Sequence, residues 1–242
     1  MPSSELSRTS LVYRRIRDAI LAGGLPPGTP LSRRRLAKQF SVSTLPVAEA
    51  LQRLLAEGLV ESRARAGTRV RIPAPEEVHG HYLVREALET QAARLFAEGA
   101  TARQRAALLK TARDLDDAYA ALNSNGYSRR RHGIAEKKHF AFHMQIARAT
   151  GCPQLVEAIE RSRVLLLNWL FMTAGDYIVL PPLWHRELAE ALASADAEKA
   201  ERAMRRHVRY RREDVEARFA RMLAIGAGTG RIVRGPRVPK KS

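Results

Sequence analysis

The stretch from Leu31 to Val70 leaves this chain little freedom of fold. Leu36, Ala37 and Phe40 share one face of a short helix, and Ser41-Val42 makes a tight connection. A second helix opens at Ser43, whose hydroxyl is expected to cap the free amides of the first turn. Pro46 falls in that turn, where a missing N–H costs little. Val47, Leu51, Leu54 and Leu55 follow at helical spacing and give the helix one apolar face to dock. Gly58 ends it. Val60 to Arg63 and Thr68 to Arg71 then alternate as two short strands around Ala64-Arg65-Ala66-Gly67, which predicts a basic two-stranded wing. Helix, turn, exposed helix and basic ribbon in this order is the winged helix-turn-helix geometry of a major-groove reader.

Charge supports the same direction. The formal net charge is +17, and its distribution is uneven. Residues 1–73 hold 13 Lys/Arg against 5 Asp/Glu, and residues 221–242 hold 6 against none. The long middle segment is close to neutral, so the excess sits at the two ends. A basic module beside a near-neutral one suggests a polyanion-binding module joined to something else, against the plainer reading of a solvated charged surface; with the winged geometry the polyanion expected is double-stranded DNA. Cys152 is the only cysteine, which excludes internal disulfides and fits a reducing compartment. The longest apolar run, Val164 to Met172, is interrupted by Asn168 and is far shorter than the ~20 residues a membrane span needs. The expectation is a cytoplasmic protein with no membrane partner.

The fold class predicted is mainly α. A helix near 10–22 leads through Gly23-Gly24 and Leu25-Pro26-Pro27-Gly28, a turn, into the winged module, which makes up a DNA-binding domain over residues 1–73. Helical periodicity then continues near 76–98, 102–122, 129–149, 153–173, 181–194 and 196–223. About six helices with short connections predict an all-α antiparallel bundle over residues 74–225. The segment 226–242 is Gly/Pro/Lys/Arg-rich and is expected to be a disordered basic tail.

On the exposed face of the Ser43 helix lie Ser43, Thr44, Leu45, Ala48 and Gln52. Leu45 and Ala48 suit apolar contacts such as a thymine methyl, while Thr44 and Gln52 can hydrogen-bond base edges or phosphates. Arg34, Arg35, Arg53, Arg65 and Arg69 read as phosphate clamps, with Arg65 at the wing tip also able to enter the minor groove.

In the helical part, His139 and His143 are four apart and share a face. His185 lies near the start of the fifth bundle helix and His207 in the middle of the sixth. Three helices can therefore point imidazoles into one pocket, and imidazole nitrogen suits zinc, nickel or a similar divalent ion. The plainer alternative is packing and core hydrogen bonds. His79, His81 and His132 lack such company and read as surface. Arg85, Asn168 and Trp169 are candidates to contact an effector; an internal pair with Glu89 explains Arg85 equally well, and Trp169 and Trp184 equally suit the core.

These residues resemble the GntR family of bacterial transcription regulators. Leu25-x-Pro27-Gly28-Thr29-x-Leu31, Leu36-Ala37, Val42-Ser43-x-x-Pro46-Val47-x-Glu49-Ala50-Leu51 and Glu57-Gly58-Leu59-Val60 look like its N-terminal module, with Gly67 where the wing turns. Val84-Arg85-x-x-Leu88-Glu89, Phe142-His143, His185 and His207 look like the FCD-type ligand-binding domain of its FadR branch. The resemblance implies a homodimeric repressor or activator on a short palindrome, answering to a small-molecule effector. It implies His139, His143, His185 and His207 as metal ligands, and Arg85 as a partner for a carboxylate effector. It also implies a DNA contact at Arg34. Two departures stand out: Thr44 and Ala48 occupy positions where the family usually carries arginine, and Arg33 stands where glutamate is common. His139 replaces the usual aspartate. An all-neutral ligand set should leave more positive charge in the pocket and favour a small carboxylate or similar anion.

Two other classes compete. A three-histidine metal with an open position can activate water as in a hydrolase, but Phe140 follows His139 where zinc peptidase helices carry glutamate, and Glu136 is the nearest acid. A DNA-organising protein without effector is the other.

Overall fold

The computed structural model describes residues 7–21, 24–63, 67–124, 128–172 and 179–229. Two compact units form, divided between Ala74 and Pro75; Leu167–Met172 and residues 221–229 group with the first.

The first unit starts with α1 (Arg8–Leu21), whose buried Val12, Ile16 and Ile20 recur every four residues and form one apolar stripe. That stripe packs on α3 (Thr44–Ala56), which buries Val47, Ala50, Leu51 and Leu54. Between them α2 (Arg33–Phe40) is capped by the Ser32 hydroxyl, which accepts from the Arg35 amide at 3.4 Å. The capping expected of Ser43 does not occur. Ser43 holds the N-cap position with extended backbone, but its hydroxyl makes no bond to the helix. At the far end Gly58, with φ 69°, takes the left-handed turn that stops α3.

The wing is β1 (Val60–Arg63) paired antiparallel to β2 (Gly67–Val70), in the register Val60↔Val70 to Arg63↔Gly67. The second strand starts and ends one residue earlier than the sequence suggested, because Gly67 (φ 79°) both turns and pairs. Its other edge is also covered: the Gly28 amide donates to Val70 at 2.8 Å and the Leu31 amide to Thr68 at 2.8 Å. The Pro26-Pro27-Gly28 turn thus delivers a third extended piece to the ribbon, which alternation alone did not reveal.

The elements from Pro75 onward are all helical: α4 (Pro75–Gly99), α5 (Ala102–Ser124), α6 (Arg129–Ala149), α7 (Pro153–Met172), α8 (Trp184–Ala193) and α9 (Ala197–Thr229), with α7 up to Leu166 and α9 up to Ala220 in the second unit. α5 packs against α6 and α8, and α4 against α6 and α8. Tyr82, Phe96, Leu108, Leu115, Phe142 and Leu188 are among the fully or almost fully buried side chains, each contributing about 1.5–3 kcal/mol of burial. α8 begins three residues later than expected, since Pro181 and Pro182 hold the chain out of the helix. α9 runs through Gly226 and Gly228 to Thr229, because extending an existing helix needs no new nucleus. The rest of the expected tail lies outside the described residues. Among the described residues no helix is long and apolar enough to cross a membrane.

Candidate nucleic-acid interface and metal centre

On α3, Ser43, Thr44, Leu45 and Gln52 are exposed and Ala48 is half-buried. Leu45 is 66% exposed, an apolar side chain held in water on the face expected to read DNA. Arg33 and Arg34 on α2 are exposed and have no partner among the described residues. Arg35 is exposed too, but its Nη2 donates to the Pro30 carbonyl at 3.2 Å. The other arginines differ. Arg53 lies with its guanidinium carbon 4.0 Å from the centre of the Tyr13 ring, a cation–π contact. The Tyr13 hydroxyl in turn donates to Glu57 at 2.5 Å, and burial with Glu57 pushes the phenol up. Arg69 is half-buried and ion-paired with Glu61 across the ribbon. Arg65 lies outside the described residues, and Gly67 is exposed at the start of β2.

All four histidines singled out from the sequence come together, fully buried. α6 carries His139 and His143 on one face; α8 brings His185 and α9 brings His207. The Nε2 atoms of His139, His143 and His207 form a triangle with sides of 2.9, 3.2 and 3.2 Å. His185 faces His139 and His207 with ring centres 5.1 and 5.3 Å away, and these three rings each offer a ligand atom within 4.8 Å of the others. Nitrogens placed tetrahedrally at 2.0–2.1 Å around zinc are about 3.3 Å apart, so the triangle has the size of a metal site.

Tautomers decide whether lone pairs or hydrogens point inward. Nδ1 of His185 donates to Asp116 at 2.7 Å, and Nδ1 of His143 contacts Glu89. An ionised carboxylate only accepts, so each ring keeps its hydrogen on Nδ1 and turns a bare Nε2 to the centre. Nε2 of His185 has no hydrogen-bond partner among the described residues. Burial drives the pKa of His139 and His207 well below the ordinary imidazole value and lowers that of His185. Neutral, buried, convergent imidazoles repel each other's lone pairs and satisfy a divalent cation well. The described residues fit a metal ion.

Three carboxylates stand around this cluster. Besides Glu89 and Asp116, Glu136 is 2% exposed; its Oε1 accepts from Arg211 at 2.7 Å and from the Tyr119 hydroxyl at 2.9 Å. Its Oε2 lies 3.9 Å from Nδ1 of His139. Burial alone would raise the Glu136 carboxyl, but Arg211 and His132 outweigh it and hold it well below the usual range. His132, expected at the surface, is buried with Nε2 3.5 Å from Glu136. It sits one turn before Glu136, on the inward face. His79 is exposed and paired with Glu216, and His81 is half-buried.

Of the effector candidates, Arg85 is buried and donates to Glu89 at 2.7 Å, while its Nη2 has no partner among the described residues. Both readings of Arg85 therefore remain compatible. The side chains of Asn168 and Trp169, on α7, lie outside the described residues. Trp184 is core, stacked on His207 with ring centres 5.5 Å apart. Sequence reasoning missed Asp116 and Arg211 as members of this cluster. Arg211 was within reach, lying one turn after His207; Asp116 carries no local signal.

The lowered histidine pKa values make acid sensitivity predictable. With chelator present, the unfolded chain takes up protons near pH 6.5 while the buried rings stay neutral, so stability rises with pH there. The melting temperature is expected to fall from pH 7.5 to 5.5 as the unfolding free energy drops by up to about 1.4 kcal/mol per pH unit for each proton taken up. Asp116 and Glu136, held below their ordinary values, should add a second loss in the carboxylate range. A flat melting profile between pH 7.5 and 5.5 contradicts the buried neutral set.

Comparison with known proteins adds kinship to this geometry. Residues 8–70 match the family described as bacterial regulatory proteins, gntR family, and residues 81–210 match the FCD domain. The "Probable D-xylose utilization operon transcriptional repressor" of Paenarthrobacter nicotinovorans is 32% identical over 217 residues, covering 85% of this chain and 89% of its own. The HTH-type transcriptional repressor RspR of Escherichia coli is 27% identical over 218 residues, covering 84% and 87%. The solved structure of E. coli McbR/YncC shares the fold, with a TM-score of 0.67 at 22% identity over 88% of this chain and 99% of its own.

Proposed function

The chain belongs to the gntR family of bacterial regulatory proteins with an FCD domain, and from that membership we propose a cytoplasmic, homodimeric regulator whose DNA grip answers to a small anion bound beside a metal. The family and its named relatives are DNA-binding transcription regulators and not enzymes. Residues 1–73 are read as the DNA-binding part, residues 74–225 as the effector-binding and dimerising part, and residues 226–242 as a basic tail.

In this reading two copies of α3 enter adjacent major grooves of a palindromic site. Ser43, Thr44, Leu45, Ala48 and Gln52 face bases; Arg34 and Arg35, with Arg65 and Gly67 at the wing, hold phosphates. Arg53 and Arg69 reach DNA only by leaving Tyr13 and Glu61, so they are weaker candidates. Without arginine at 44 and 48, base reading rests on smaller groups and the operator should differ from those of relatives that carry them.

The observation that carries the effector half is the convergence of imidazole nitrogens from α6, α8 and α9, those of His143 and His185 bare. Zinc or nickel held by His139, His143, His185 and His207 would supply a Lewis-acidic position for a carboxylate oxygen. The chain's own charges suggest the effector's charge. Glu89, Asp116 and Glu136 face three guanidiniums, buried Arg85 and Arg211 and half-buried Arg186, which lies 3.7 Å from Asp116. These charges cancel, so a divalent ion would leave the cluster positive, and a small carboxylate or similar anion would offset that charge. Arg85 offers its free Nη2 to that carboxylate, with Asn168 and Trp169 as further contacts. The effector shifts DNA binding only by favouring one of two dimer arrangements.

Elemental analysis of the purified protein, paired with sequencing of the genomic fragments it retains, tests both halves. About one zinc or nickel per chain and a recurrent palindrome are expected. Protein free of metal and retaining fragments without a common motif overturns the reading. For the docking face, Arg34→Ala should weaken binding to all duplexes alike and reduce the salt slope by about 1. Unchanged affinity and slope would remove that face.

A further inference from the structure

Helix α8 begins without a cap of its own. Leu183 holds the N-cap position in the left-handed region, φ 61°, and offers no side-chain acceptor. The first amides of α8 are taken instead by Asp116 on α5. Its Oδ1 accepts from the backbone N–H of His185 at 3.0 Å, and its Oδ2 from that of Arg186 at 3.1 Å. The same Oδ1 accepts from Nδ1 of the His185 ring at 2.7 Å. One carboxylate therefore holds a helix end and an imidazole at once. Tyr119, one turn further along α5, stacks on that imidazole with ring centres 5.4 Å apart and planes 18° from parallel. The orientation and tautomer of His185 are both set from α5.

We propose that Asp116 is a positioning residue of the histidine centre, which keeps Nε2 of His185 bare and makes the seating of α8 on α5 a condition of cation binding. The proposal rests on the reading of the four histidines as a metal site. Outer carboxylates that hold metal-ligating histidines are typically worth 10- to 100-fold in metal affinity. Linkage is reciprocal, so a bound cation must in turn tighten the docking of α8.

Cobalt(II) is the probe, titrated into full-length wild type, Asp116→Asn and Asp117→Asn and followed by its d–d absorption. Asp117, exposed and paired with Arg186 at 3.1 Å, is the neighbour that should not matter. Asp116→Asn is expected to bind cobalt 10- to 100-fold more weakly, with an altered spectrum, and Asp117→Asn as wild type does. A purely structural cap would lower the melting temperature of Asp116→Asn while leaving its cobalt affinity unchanged, and that result overturns the proposal. If Asp116→Asn does not fold, hydrogen exchange of the α8 amides in wild type decides: slowing on cobalt addition supports the coupling, and no change rejects it. Wild type that binds no cobalt sinks the metal reading itself, whereas wild type and Asp116→Asn binding equally well sinks only the role of Asp116.

Discussion

Glu136→Ala should destabilise the helical unit by about 3–5 kcal/mol, the loss expected when one partner of a buried ion pair is removed. Glu136 and Arg211 are 2% and 3% exposed and meet at 2.7 Å. Without the carboxylate, Arg211 keeps its charge in a site from which water is excluded, and the Tyr119 hydroxyl loses its acceptor. In a chain of this size that corresponds to a fall in melting temperature of roughly 6–20 °C. Glu136→Gln keeps the shape and one acceptor, and should lose less. Pairing Glu136→Ala with Arg211→Met should recover part of the loss, because the stranded charge is then gone. Thermal or denaturant unfolding of the four proteins checks this. A change within 1 kcal/mol for Glu136→Ala would mean that Arg211 is solvated and the network is not closed.

His207→Ala should abolish stoichiometric metal. His207, like His139, meets the other three candidates: its Nε2 lies 3.2 Å from those of His139 and His143, and its ring centre 5.3 Å from that of His185. Metal at a hundredfold excess over its Kd stabilises the folded state by about 2.7 kcal/mol, so wild type should gain roughly 5–10 °C on metal addition. The variant should gain almost none. Its own melting temperature also falls, since the imidazole packs on Trp184; the difference with and without metal is therefore the quantity to read. Equal metal content and an equal gain in both proteins would remove the site.

Much of this molecule was legible before any coordinates. The stripe of Val12, Ile16 and Ile20, the docking face of α3 and the alternation of the wing repeat within a few residues, and each appears as an element close to where periodicity put it. The histidines were legible because each sits on a separate helical turn whose inward face the apolar neighbours define. Of the charged residues, Arg85 and Glu89 were legible as an i,i+4 pair, which forms at 2.7 Å. Glu136 and Arg211 look in sequence like the solvated groups of any amphipathic helix, since such residues are seldom fully buried. His132 was misplaced for the same reason: its inward position depends on Glu136, and Glu136 is inside because Arg211 is.

Local spacing determined by itself the helices, the winged ribbon and the family pattern, because backbone periodicity and capping act over one or two turns. Only the tertiary structure decided which nitrogen of His143 and of His185 is bare. Asp116 and His185 are 69 residues apart in the chain and 2.7 Å apart in space. A proton's position on a ring follows from the acceptor it meets, and that acceptor arrives only when α5 and α8 have packed.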